Sequence, residues 1–211
     1  MERNPTTGIV NPKRKRHERK DVFPFESWTE IESVCAELDK RYRSIPIVAA
    51  GTGLRPEELF GLHRSDVDRD GKRIHVRRRF TQGMVKPASK TGAERFVPFG
   101  EKVLAALDSM TPRIDTPILF PAPRGGYIDL EKFRHREWAP ALVAAGIAHR
   151  RVYDLRHTYA SWALAMDVPP AKLALMMGTS IAQLEDTYHR FLKSDYQYGA
   201  AVDGYEIAAT G

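Results

Sequence analysis

The sequence predicts a mostly helical α+β domain with one small antiparallel sheet, and three observations lead there. Apolar residues recur at helical spacing on both sides of the middle of the chain. Between residues 72 and 98 the pattern changes to short strand-like runs separated by Gly, Pro and Ser. Helix start and stop signals bracket the periodic segments.

Residues 1–26 are rich in Pro, Lys and Arg and lack periodicity, so they read as a basic linker or arm. Ser27, followed three residues later by Glu30, is a capping-box pattern that opens a helix through about Arg41. A second, apolar helix is expected over 44–52. GTGLRPEEL then makes a glycine turn into a short helix, with Pro56 at its first position. RIHVRRRF, GMVKP and ERFVPF supply the strands. Helices return at 101–110, 129–145 (ending at Gly146), 153–166, 169–177 and 180–192. In the last of these, Leu184, Tyr188 and Phe191 share one face, so periodicity alone makes Tyr188 a core residue. Residues 194–211 form a tail of mixed character.

The 211 residues are 42% hydrophobic and 28% charged, enough for one well-filled soluble domain. The longest apolar runs, such as IPIVAAGTGL, are too short for a membrane span, and Met1 is followed by no apolar signal region. Cytoplasm is the expected compartment. The single Cys35 excludes an intrachain disulfide and a cysteine-based zinc site.

Lys and Arg outnumber Asp and Glu by 33 to 27, a net charge of +6, and the excess is uneven. Residues 72–95 carry eight basic side chains, among them Arg77, Arg78, Arg79, Lys86, Lys90 and Arg95, against Glu94 alone. A basic stripe of this kind is the footprint of a polyanion partner, with a solvated surface as the plainer reading. Strand alternation would send Arg77 and Arg79 to one side and Arg78 to the other.

Three separated motifs can carry chemistry. In TGLRPEEL, Arg55 stands at a helix start, where free N–H groups also favour an anion. In VYDLRHTYASWALA, Arg156 and His157 lie off an apolar face near a first helical turn, where a positive charge opposes the helix dipole. In MMGTSIAQLEDTYHRF, Gly178 ends one helix, Ser180 caps the next, and Tyr188 sits two turns inside. Taken alone, Arg55 reads as a surface capping arginine, Arg156 stands evenly between a surface and a functional arginine, and Tyr188 reads as a packed core residue.

Together the motifs say more. TGLRPEEL, SKTGAERFVPF, DLRHTYASWAL and GTSIAQLEDTY, in this order and spacing, resemble the tyrosine recombinase or phage integrase family over residues 21–195. The resemblance implies an integrase-type catalytic domain at 27–193 with a three-stranded antiparallel sheet. Residues 1–26 would then end a missing or shortened core-binding domain, and 194–211 would form a tail exchanged between subunits.

Carried over by position, the resemblance makes Arg55 and Arg156 the phosphate-clamping arginines, Lys90 the hairpin lysine and Tyr188 the nucleophile, with Lys86 as an alternative lysine. Glu58 and His157 take supporting places. Tyr153, where the family most often has His, and Thr179, where it usually has His or Trp, complete the implied catalytic set, each with a hydroxyl that can donate to phosphate. Arg77, Arg78, Arg79, Lys86 and Arg95 are expected on the DNA.

The chemistry suits these residues. Two guanidiniums hold the charge that builds on a phosphodiester under attack and cannot lose their protons. Tyrosine, with a pKa near ~10, needs its proton removed or its anion stabilised. Lysine suits protonation of the departing 5′ oxygen. No metal or other cofactor is required, and no Walker motif or acidic metal-ligand cluster is present in the sequence.

The implied function is a site-specific DNA recombinase acting through a 3′-phosphotyrosyl intermediate, in the bacterial cytoplasm or nucleoid. Its expected partners are double-stranded DNA and further recombinase subunits, as a tetramer on DNA and a monomer in solution. Two other readings are kept: a family member that binds DNA or regulates without cutting, and a type IB topoisomerase-like enzyme.

Overall fold

The structure, a computed structural model, describes residues 22–89, 93–111 and 113–188. Most of the basic arm (1–21), Lys90 and the tail therefore lie outside the described residues.

The first helix, α1 (Trp28–Glu37), starts where the capping pattern places it: the Ser27 hydroxyl accepts from the Glu30 N–H at 3.3 Å. The Glu30 carboxylate reaches one residue further back than a capping box requires, accepting from the Glu26 N–H at 2.8 Å. The helix ends short of Arg41. Leu38 turns extended and buried, and Arg43 caps the end by donating to the carbonyls of Ala36 and Leu38.

Helix α2 (Ser44–Thr52) is apolar on nearly every side and lies in the middle of the domain, against α1 and later helices. It stops at Gly53, whose φ of +64° suits glycine. A Cβ there would also fall 2.3 Å from the Tyr159 ring. Helix α3 (Pro56–Phe60) follows with Pro56 in its first turn, as the sequence predicts.

The sheet departs from the expected strands. A three-stranded antiparallel sheet is present, but it is built from β1 (Val67–Asp68), β2 (Arg73–Val76) and β5 (Arg95–Pro98), in the order β1-β2-β5. Between β2 and β5 in sequence, β3 (Arg78–Thr81) and β4 (Met84–Pro87) form a separate hairpin. Its turn, Gln82-Gly83, has positive φ at both residues, the geometry that matches the strand twist of a two-residue hairpin.

RIHVRRRF is therefore two strands, broken at Arg77. The cause is Asp66, a buried carboxylate that accepts from Arg77 Nε at 2.9 Å and also from Arg78. The expected alternation of Arg77 and Arg78 is replaced by two consecutive arginines turned to one acid. That arrangement satisfies a charge that would be costly to bury alone.

Helix α4 (Glu101–Asp108) packs against α2. The helix expected over 129–145 is interrupted: α5 (Leu130–Phe133) runs into a π-helical stretch at Arg134–Trp138, then α6 (Ala139–Ala144). The widened turn precedes Pro140, which has no N–H to donate and whose ring crowds the carbonyl four residues back. Gly146 ends the segment at φ +70°.

Three helices complete the described chain: α7 (Asp154–Ala165), α8 (Pro170–Met177) and α9 (Ile181–Tyr188). One large apolar cluster joins α1, α2, α3, the inner sheet face and α4 to α6. A second, with Val22, Ala160, Leu164, Leu173, Met177, Leu184 and Tyr188, holds α7, α8 and α9 together. The last residues of the arm join in: Val22 and Phe25 are buried, and the Phe25 N–H donates to Thr158 Oγ1 at 2.9 Å.

Candidate active site

Helices α3, α7, α8 and α9 and strand β5 bring the sequence-predicted residues to one corner of the domain. Tyr188 ends the described part of α9 and is 4% exposed, with its ring in the second apolar cluster. Its hydroxyl lies 2.6 Å from His157 Nδ1. Burial pushes the His157 pKa down to about 4, so the imidazole is neutral. With the ring proton on Nε2, Nδ1 accepts the Tyr188 proton in a neutral hydrogen bond. Burial also raises the Tyr188 pKa above its ordinary value, against the lowering pull of Arg156.

Arg156, one turn into α7, is 3% exposed. It donates from Nη1 to the Gly53 carbonyl at 2.6 Å and from Nη2 to the Met177 carbonyl at 2.9 Å. Among the described residues no carboxylate forms an ion pair with it, so its charge is held by neutral carbonyls. Burial and the charge of Arg55 lower its pKa, but an arginine that starts above 12 stays protonated.

Arg55 precedes α3 and approaches from the other side of the same helix end. Its Nη2 donates to the Gly178 carbonyl at 2.7 Å, and its Nη1 makes a long contact of 3.5 Å to Met177 O. The two arginines thus converge on the C-terminus of α8, where unpaired carbonyls and the helix dipole favour cations.

Glu58, wholly buried in α3, organises this corner. Its two oxygens accept from the Arg55 N–H and Arg55 Nη1, and from both terminal nitrogens of Arg95 at 2.7 and 3.1 Å. Burial alone would raise its pKa, yet the hydrogen bonds and charge of Arg95, together with Arg55, hold it below the usual carboxylate value. The sequence reading set Arg95 on the DNA. Its side chain instead points inward, with Nε on the Met176 carbonyl at 2.9 Å.

A pocket of about 380 Å³ opens in front of Tyr188 and is lined by Tyr153, Arg156, His157 and Thr179 as well. Tyr153 stands at the N-terminal end of α7, exposed, its ring edge-on to His157. Thr179 follows Gly178, and its hydroxyl donates to Gln183 Oε1 at 2.7 Å. Gln183 and Arg151 also line the pocket and were not singled out by sequence, because a helical Gln and one more basic residue carry no spacing signal.

Of the remaining predicted residues, Arg77 and Arg78 meet Asp66, away from the pocket. Arg79 and Lys86 sit directly opposite each other across the hairpin. Like charges so placed repel. Lys90 lies outside the described residues.

Comparison with known proteins matches the chain to a family. The phage integrase family model covers residues 24–194. Tyrosine recombinase XerC of Corynebacterium glutamicum is 33% identical over 190 residues, which take in 85% of this chain and 57% of that protein. The chain thus spans little more than half the length of the curated relatives it matches. Among solved structures, the Tn1549 transposon integrase in complex with a circular intermediate DNA superposes with a TM-score of 0.68 at 18% identity, covering 88% of this chain and 66% of that one. XerA recombinase superposes at 0.65 and 25% identity, covering 93% of this chain and 67% of that one. With a family match that runs from before α1 to beyond Tyr188, the chain belongs to the phage integrase family.

Proposed function

We propose that this chain is the catalytic part of a site-specific DNA recombinase that cuts and rejoins double-stranded DNA through a 3′-phosphotyrosyl bond to Tyr188. One observation carries the reading: Arg156, buried and bonded only to neutral carbonyls, faces the same pocket as the Tyr188 hydroxyl. A buried positive charge beside a hydroxyl nucleophile fits a phosphodiester, because attack adds negative charge where the guanidinium waits.

In this scheme Arg55 and Arg156 hold the non-bridging oxygens of the scissile phosphate. Tyr153 and Thr179, both lining the pocket, supply hydroxyl donors where the family resemblance leads one to expect imidazole or indole. The Tyr188 hydroxyl gives up its proton to water in the pocket as its oxygen bonds to phosphorus. The bond from phosphorus to the 5′ oxygen breaks, and that oxygen takes a proton from Lys90, or from Lys86 in the alternative assignment. A second 5′-hydroxyl reverses the step and reseals the strand. The bond energy stays in the phosphotyrosine, so neither nucleotide cofactor nor metal enters the scheme.

Arg79 and Lys86, opposite each other on the β3–β4 hairpin, present the positive surface for the DNA backbone, while Arg77 and Arg78 are paired with Asp66. Residues 1–26 act as a basic connection to a DNA-clamping region, and residues 194–211 as a segment shared between subunits of a tetramer on DNA. The free chain is a monomer of the bacterial cytoplasm. Among the described residues no helix is long and apolar enough to cross a membrane.

The test is covalent trapping on a library of randomised duplexes carrying 5′-bridging phosphorothiolates, whose cleavage cannot reverse. The reading expects a protein–DNA adduct that survives denaturation. Relaxation of supercoiled plasmid without any preferred site would favour the topoisomerase-like reading, and tight binding with no adduct the regulatory one.

A further inference from the structure

We propose that Arg95 is a positioning residue of the catalytic corner: it clamps the α8–α9 turn onto Arg55 and Glu58 and so sets Thr179 and Tyr188 against the two phosphate arginines. The inference rests on the recombinase reading for its consequence in catalysis, but its geometry stands by itself.

Arg95 opens β5, where it pairs with Val76, and its side chain is 15% exposed. Both of its terminal nitrogens meet the two Glu58 oxygens in a fork-to-fork pair, the geometry that only a planar guanidinium gives. The third nitrogen, Nε, takes the Met176 carbonyl. Arg55 and Arg156 take the next two carbonyls, Met177 and Gly178, so three arginines hold three consecutive carbonyls at the end of α8.

Gly178 completes the clamp. Its φ is +64°, and a Cβ would fall 3.0 Å from the Arg95 guanidinium carbon, so the turn lies directly against that group. Thr179 and α9, which carries Tyr188, follow at once. A shift of the turn moves the pocket wall and the nucleophile together, while Arg55 keeps its bond to Glu58. Misplacement on the order of 1 Å is enough to cost about 100-fold in rate.

The test compares Arg95→Lys and Gly178→Ala with the wild type. Amide hydrogen exchange over residues 176–184, single-turnover adduct formation and the salt dependence of DNA affinity are measured for each. Arg95→Lys keeps the charge and loses the fork. The expected result is faster exchange confined to that segment and a 10- to 100-fold slower adduct step, with DNA affinity within about twofold and an unchanged salt slope. Gly178→Ala gives the same pattern.

Exchange and rate matching the wild type in Arg95→Lys overturn the proposal. So does a salt slope reduced by about one in Arg95→Gln and restored in Arg95→Lys, which marks a phosphate contact. Faster exchange throughout the domain also overturns it, since it marks general loss of stability. If the wild type itself forms no adduct, the recombinase reading fails, and the exchange of residues 176–184 still decides whether the clamp exists.

Discussion

The Tyr188 hydroxyl and His157 Nδ1 lie 2.6 Å apart, both residues buried along one wall of the pocket. The proton stays on the tyrosine. With Tyr188 above its ordinary pKa and His157 at about 4, the gap exceeds about six pH units, or roughly 8 kcal/mol. His157 therefore holds the Tyr188 hydroxyl in place without taking its proton, and in the proposed scheme activation falls to the positive charges that would meet the phosphate.

A neutral, buried His157 makes stability depend on pH. Its folded pKa of about 4 lies below the ordinary 6.5, so the unfolded chain binds this proton first as pH falls. The stability is fully present above about pH 6.5 and is lost progressively toward pH 4, by roughly 3 kcal/mol in all. Urea titrations across that window measure it. His157→Asn should flatten the slope; an unchanged slope would mean that His157 does not sit buried and neutral.

Removing Glu58 leaves two arginine side chains short of their carboxylate, one of them largely buried. Glu58→Ala is expected to cost about 3–5 kcal/mol in denaturant unfolding, the range for breaking a buried pair on one side. A loss under about 1 kcal/mol would show that the Arg55–Glu58–Arg95 corner does not hold the fold.

Thr179 offers one neutral hydroxyl to the pocket. Thr179→Ala is expected to slow adduct formation by about tenfold, matching one hydrogen bond of roughly 1.4 kcal/mol, with little change in DNA affinity. Thr179→His should raise the rate above the wild type. Single-turnover cleavage of one trapped substrate separates these outcomes.

Lys86 and Arg79 face each other across the β3–β4 hairpin at a cost in repulsion that a phosphate relieves. Each neutral substitution, Lys86→Ala or Arg79→Ala, should lower the salt slope of DNA binding by about 0.9. Slopes equal to the wild type would remove the hairpin from the DNA face.

Much of this was legible in the sequence, and the limits have physical causes. Ser27, Pro56, Gly146 and Gly178 mark helix ends because caps and left-handed turns need those residue types, and α1, α3, α6 and α8 end or begin there. The resemblance to the integrase family implies a common site for Arg55, Arg156, Thr179 and Tyr188, and the structure gathers them at one corner. Tyr188 is also the core residue that periodicity made it, since packing aims its hydroxyl.

The partners of the arginines were not legible. Arg77, Arg78 and Arg95 read as one basic stripe, but Asp66 and Glu58, each buried and distant in sequence, turn them inward. A charge count sees only the excess of positive residues; which acid each meets is decided by tertiary packing. The π-helical stretch before Pro140 was hidden for a similar reason, because apolar periodicity continues across it.

The account stands most directly on where DNA becomes attached. Phosphorothiolate-trapped adduct, digested with protease and nuclease and sequenced by mass spectrometry, should carry a 3′-nucleotide on the peptide containing Tyr188. The Tyr188→Phe protein should yield none while binding DNA as tightly as the wild type. An adduct on another residue, or one that persists in Tyr188→Phe, would contradict it.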